Sequence, residues 1–220
     1  MPRTYLSMTQ SVASDAGWAG NVTSIAAATG DAARIARFVS EACQYIESLW
    51  GDWRFLWGGL MEGVIPANEK VIVAPENLYR WDRDRVFIGD CKHYPIEYSD
   101  FKPWSGMDTG GFVGQVVIMP DNNLRLYPYP DVDTAYSLSW YKDPKILIND
   151  LDEPNIPDKF RKVIEAYALW LYAMYDDSAE LATKSQAEYE KWILILQADQ
   201  RPGGYSSNQS MNNHITITAW

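Results

Sequence analysis

Between Val163 and Tyr175 the chain reads VIEAYALWLYAMY, with one charged side chain, Glu165. Apolar residues at Val163, Ile164, Tyr167, Ala168, Leu171, Met174 and Tyr175 recur at three-to-four spacing, which predicts a helix. The remaining faces are apolar as well, and a helix that is apolar nearly all round needs cover on several sides. The fold must therefore close around this segment or offer one of its faces to another subunit. No uncharged apolar stretch approaches the roughly 20 residues of a bilayer span, so no membrane partner is expected.

Helical patterning flanks a region of different period. Residues 4–16 predict a short helix with Thr4 as N-cap, apolar positions at Tyr5, Met8, Val12 and Ala16, and Gly17 just past its end. A small-residue loop over 18–30 leads to a stronger helix from Asp31, with the stripe Ile35, Val39, Ala42, Ile46, Leu49, Trp50 and Trp53. Gly58 and Gly59 are expected to close it. The cluster Trp50, Trp53, Phe55 and Trp57 reads as a hydrophobic anchor in core or interface, in preference to a ligand stack. Further on, Pro157 and Asp158 open the helix that carries the apolar segment. Asp176, Asp177 and Ser178 form a turn, and Ala182, Ser185, Tyr189, Trp192, Ile193 and Leu196 define a second amphipathic helix ending near Gln200, so that the two make a helical hairpin.

Over 60–148 the period changes. KVIVA, RVFIG, GQVVIM, NLRLYP and TAYSLSWY are short runs of branched and aromatic residues separated by Pro, Gly, Asn and Asp, which predicts a small β region. Pro120, Asp121, Asn122 and Asn123 carry turn chemistry for a hairpin. Tyr136, Leu138 and Trp140 alternate with Ser137, Ser139 and Tyr141, as in a sheet with one buried face. After Arg201 the sequence PGGYSSNQSMNNHITITAW has no charged side chain apart from His214 when protonated, and it cannot build a core of its own. Its end alternates Ile215 and Ile217 against Thr216 and Thr218 before Trp220. Strand addition to another subunit would satisfy such a segment.

The chemistry of catalysis finds little footing. TGGFVG at 109–114 lacks the spacing of a dinucleotide loop, and no GxxxxGK[ST] or GxSxG occurs. His93 and His214 are far apart, and Cys43 and Cys91 form no metal spacing, so no cofactor and no metal are expected. Two cysteines without a disulfide framework, and an opening MPRTYLSMTQ without an apolar signal core, fit a reducing cytoplasmic origin. Carboxylate sets at Asp82/Asp84, Asp131/Asp133, Asp150/Asp152/Glu153 and Asp176/Asp177/Glu180 read better as solvated turns than as acid and base pairs. A net charge of -10 argues against a surface that grips phosphates. The alternating run Arg80 to Arg85 nearly cancels its own field and reads as a salt-bridged strand entry or an intersubunit contact. Ten Trp, fourteen Tyr and six Phe are more aromatic side chains than one core ordinarily uses, and interfaces favour the same residues.

The helix TGDAARIARFVSEACQYIESLWGDWRFLW, the β insertion containing NLRLYPYPD, and the closing pair that begins at Ile156 and Pro157 together resemble the head-to-tail adaptor proteins of tailed bacteriophages. The resemblance covers most of the chain. It implies a mainly α fold, a helical bundle with an inserted small antiparallel β region and an extended C-terminal tail. Residues 1–59 would supply the N-terminal helices, 60–148 the β insertion, 149–201 the C-terminal hairpin and 202–220 an extended arm. It further implies a structural, non-enzymatic virion protein of the neck, assembled in the host bacterial cytoplasm. Its partners would be a ring of twelve copies, the portal protein through the arm, a tail or nozzle protein on the distal side, and DNA passing through the channel without sequence-specific binding. Candidate portal or subunit contacts are Tyr205, Ile215, Ile217 and Trp220 in the arm, with Trp170 and Trp192 in the hairpin. The alternatives are another neck or tail-completion protein, a muralytic glycosidase using two of the carboxylates, or a carbohydrate-binding module stacking sugars on Trp81, Trp104 or Trp140.

Overall fold

Thr4 caps the first helix as its residue type predicts. In the computed structural model, which describes residues 3–18, 20–103 and 107–201, its side chain accepts from the Ser7 N–H at the start of α1 (Tyr5–Asp15). The first-turn N–H groups of Tyr5 and Leu6, which a helix leaves without internal partners, donate to the carbonyls of Asp152 and Asp150 at 2.8 and 3.1 Å. Helix α2 spans Gly30–Ser48. Ile35, Val39, Ala42 and Ile46 of the predicted stripe are all buried. Near the other end of the chain, α3 (Lys162–Tyr175) and α4 (Ala179–Gln200) are joined by a turn in which Asp177 has φ of 54°.

The chain divides into two compact units. Among the described residues, the first comprises those within 3–42, 52–55 and 148–201. Its core takes Tyr5, Met8 and Val12 from α1, Ile35 and Val39 from α2, Val163, Ile164 and Ala168 from α3, and Ile193 and Leu196 from α4. The Tyr5 hydroxyl donates to the Ala36 carbonyl at 2.8 Å. Burial and the nearby Glu41 push its pKa up to about 12, so it remains a donor at every ordinary pH. Trp53 is fully buried and stacks on Phe55 with ring centroids 5.3 Å apart.

Arg161 organises this unit's polar interior. Its side chain is almost fully buried, and every N–H of the guanidinium has an acceptor. Nε donates to the Ile156 carbonyl at 2.9 Å. Nη1 reaches the Arg3 carbonyl at 2.7 Å and Asp158, and Nη2 reaches Glu153 at 2.9 Å and the Pro154 carbonyl. One turn later the buried Glu165 accepts from the Ser11 hydroxyl at 3.1 Å and pairs with Lys162 at 3.1 Å.

The second unit comprises Cys43–Gly51 and Leu56–Leu147. It contains two four-stranded sheets. The first has the order β1-β8-β3-β4, built from β1 (Trp57–Ile65), β8 (Thr134–Lys142), β3 (Leu78–Ile88) and β4 (Cys91–His93). The second has the order β2-β7-β6-β5, built from β2 (Val71–Ile72), β7 (Leu124–Tyr127), β6 (Gln115–Ile118) and β5 (Ile96–Glu97). Their inner faces share one core, with Trp81, Val86 and Leu138 from the first sheet and Val116, Leu124 and Leu126 from the second. The hairpin expected around Pro120–Asn123 is present as β6–β7, and Asn122 takes φ of 64° in its turn. Tyr136, Leu138 and Trp140 face the core as their alternation predicts.

The expectation of a mainly α helical bundle with a small antiparallel insertion is corrected. With 37% helix and 24% strand arranged in two sheets, the protein is an α+β fold. The second sheet is mixed, because β5 runs parallel to β6. Gly58 and Gly59, expected to end a helix, lie inside β1, and α2 stops earlier, at Ser48. Gly58 and Gly63 provide space, and Gly59 provides backbone freedom. A Cβ on Gly58 would lie 2.4 Å from the Trp140 ring, one on Gly63 would lie 2.7 Å from the Tyr136 hydroxyl, and Gly59 has φ of 104°. The extended tail assigned to 202–220 lies outside the described residues.

Two outcomes follow from these interiors. Arg161→Met removes five donors from their acceptors, of which only Asp158 is exposed, and should lower unfolding free energy by about 3 kcal/mol in a denaturant titration. His93 on β4 is buried, its Nε2 has no hydrogen-bond partner among the described residues, and burial holds its pKa below the ordinary value of 6.5. The folded state therefore binds fewer protons than the unfolded state, so stability is lost as pH falls below about 6.5. His93→Phe should flatten that part of the dependence of Tm on pH between pH 7 and 5.

Candidate assembly surface

In the first unit, helix α3 buries Val163, Ile164, Ala166, Ala168, Leu169, Tyr172 and Ala173 and still leaves apolar side chains outside. Met174 is 65% exposed, and Tyr175 is exposed with the Arg34 guanidinium 3.7 Å above its ring. On α4 the stripe Ser185, Ile193 and Leu196 turns inward, whereas Leu194 is 63% exposed and Ile195 is exposed beside it. Cover on several sides is thus supplied only in part by the described residues. Tyr167, Trp170 and Tyr189 form an aromatic cluster: Trp170 stacks on Tyr189 at 6.0 Å, and Tyr167 lies 4.8 Å from Tyr189. Trp170 and Trp192 are both half-buried.

Tyr205, Ile215, Ile217 and Trp220, the other candidate contacts, lie outside the described residues, as does Trp104. In the second unit, Trp57, Leu60, Val64 and Phe87 are exposed. The sequence pattern singled out neither Leu60 nor Val64, because the glycines around them masked a strand. For Leu194 and Ile195 the signal was present: Ile193–Leu196 is a four-residue apolar run on an otherwise amphipathic helix, and only two of its members can face one core.

The carboxylate sets serve the fold. Asp133 accepts from the Ala67 N–H, Asp150 from Ile25, and Asp152 from Ile148 and Asn149, each at 2.7 to 2.9 Å. Glu153 pairs with Arg161, and Asp177 sits in the α3–α4 turn. Among the described residues, no group of three His, Cys, Asp or Glu side chains could hold a metal ion. In the run Arg80–Arg85, Arg80 and Trp81 keep their places opposite Tyr141 and Trp140, and the register slips after them. Pairing of β3 with β8 jumps from Trp81↔Trp140 to Val86↔Leu138, so four charged residues are bulged out against Ser139 alone. Within the bulge Arg85 pairs with Asp82, and Arg83 forms an ion pair with Glu97.

Trp81 is buried and donates from Nε1 to the Asn122 carbonyl at 2.8 Å, and Trp140 packs on the same core, so these two rings form no exposed platform for sugars. A cleft of about 350 Å³ in the second unit is lined by Ile88, Phe112, Val113 and Val132, with Asp90 and Asp131 as its carboxylates. Among the described residues no helix is long and apolar enough to cross a membrane.

A family described as SU10 adaptor protein matches residues 3–211, nearly the whole chain. No curated protein matches it. The family's role is that of a bacteriophage adaptor, a structural and non-enzymatic one in the virion neck. The exposed apolar strips on α3 and α4, together with carboxylates committed to turns and ion pairs, suit such a role. The chain belongs to the SU10 adaptor protein family.

Proposed function

We propose that this protein is the repeating subunit of a head-to-tail adaptor ring that docks beneath the portal, connects it to the tail and forms part of the DNA channel. The family match over 3–211 carries the reading. Apolar side chains left exposed on α3 and α4 support it, since a closed ring needs two different adhesive surfaces on each subunit. Twelve copies is the number that the resemblance to phage adaptors implies. The arm after Arg201, with Tyr205, Ile215, Ile217 and Trp220, reaches the portal or a neighbouring subunit, while Trp170 and Trp192 present their exposed edges to a neighbour. A tail or nozzle protein meets the distal side. The net charge of -10 suits a channel wall, because it repels the DNA backbone at Debye-length range and lets it pass without adhering.

The mass of the purified protein, alone and mixed with portal, tests this directly. A ring-sized complex with portal is the expected result, and a chain that stays monomeric in its presence contradicts the proposal. Met174→Asp and Leu194→Asp replace exposed side chains, so each should change folding stability by no more than about 0.5 kcal/mol. Ring formation should nevertheless drop, measured by sedimentation. Deleting residues 202–220 should weaken portal attachment in a pull-down while leaving Tm close to that of the full chain.

A further inference from the structure

The second unit has four strand edges, and they are not alike. β2 and β5 have two residues each and β4 has three, too short to template another strand. β1 has nine residues and, among the described residues, pairs only with β8. Proteins usually protect such an edge with lysine, proline or inward-pointing charge. WGGLMEGVI has no lysine or proline, and its one charge, Glu62, points outward with Leu60 and Val64, which are 56% and 59% exposed. The register sets Leu60, Glu62 and Val64 opposite Ser139, Ser137 and Ala135, and Phe87 opposite Ser137 on the far side. This outer face is thus apolar and hydroxylic beside an open row of backbone donors and acceptors.

We propose that the free edge of β1 accepts, by strand addition, the C-terminal segment of a second copy of this chain, residues 214–220. The inference rests on the ring reading and names the partner of one part of the arm. Nineteen residues follow Arg201, and the last seven, HITITAW, combine high β propensity with no proline and no charged side chain save His214 when protonated. Seven extended residues span about 24 Å against about 30 Å for nine in β1, so the segment fits within the edge. Ile215 and Ile217 share one face of such a strand and would extend the apolar row of Leu60 and Val64, with Thr216 and Thr218 on the other face. An uncharged donor adds no desolvation cost for buried charge. A donor tail and an acceptor edge on one chain are two different surfaces, which is the pattern of a head-to-tail contact that closes into a ring. The portion nearer α4, with Tyr205, is then left for the portal.

Hydrogen exchange on the full-length protein tests the assignment. A synthetic peptide of residues 210–220, added to full-length protein carrying Ile215→Lys and Ile217→Lys, should slow amide exchange within 57–65 by about tenfold or more, equivalent to about 1.4 kcal/mol. The same peptide with Thr216→Pro should not, and Val64→Lys in the acceptor should abolish the effect. In the unsubstituted protein, protection of 57–65 should rise with protein concentration. Peptide binding that leaves 57–65 unchanged overturns the proposal. So does protection independent of concentration, which assigns the edge to the chain's own tail, or protection that appears with portal even when both isoleucines are lysine, which assigns it to the portal. A portal-bound ring with unprotected β1 overturns this inference and leaves the adaptor reading standing. Concentration-dependent protection in a protein that makes no ring with portal does the reverse.

Discussion

A buried guanidinium is tolerable only when all its donors are met, and Arg161 meets that condition by gathering segments that are distant in sequence. At the start of α3, the Arg3 carbonyl and acceptors from the 153–158 turn converge on its five N–H groups. Taking an ion from water costs several kcal/mol, so the network holds only while every partner is in place. That requirement fixes where the chain enters α1 and where α3 begins. Glu165, one turn further on, is then placed beside Ser11 and Lys162. The apolar faces of α3 inherit their orientation from this polar anchor. Which of them meet α1 and α4, and which remain for a partner, follows from it.

Local chemistry was legible wherever it acts within a few residues. The Thr4 cap, the α3–α4 turn and the β6–β7 hairpin all depend on contacts close in sequence, and each stands where the pattern put it, while of the α4 stripe Ser185, Ile193 and Leu196 are buried. The extent of the sheets was not. Gly58 and Gly59 read as punctuation because a glycine's local effect is to end elements. Here Gly58 and Gly63 make room for Trp140 and Tyr136 from a strand some 75 residues away, and that reason is invisible until β1 and β8 are paired. β4 and β5 were missed for a related cause. Two or three residues carry no period, and only their neighbours define them as strands.

The aromatic surplus illustrates the same limit at the candidate site. Trp53 is fully buried and Trp57, four residues on, is exposed, although both belong to one sequence cluster. Trp81 lies in the core, whereas Trp170 and Trp192 are divided between core and surface. Composition announces that large side chains must be covered, but the backbone path decides by what. The pattern did identify α3 as a helix that needs cover on several sides, and among the described residues Met174 remains uncovered at its outer edge.

The slip between β3 and β8 bears on how proteins of this architecture can diverge in length. In a strand of strict alternation, one added residue turns every later side chain to the wrong face. Here the four residues from Asp82 to Arg85 stand against Ser139 alone, outside the ladder, while Trp81 and Val86 both remain turned inward. Insertions or deletions between those two anchors would be absorbed where no pairing exists. The stretch works as an expansion joint, able to acquire or lose charged residues over evolutionary time while the hydrophobic register on either side stays as it is.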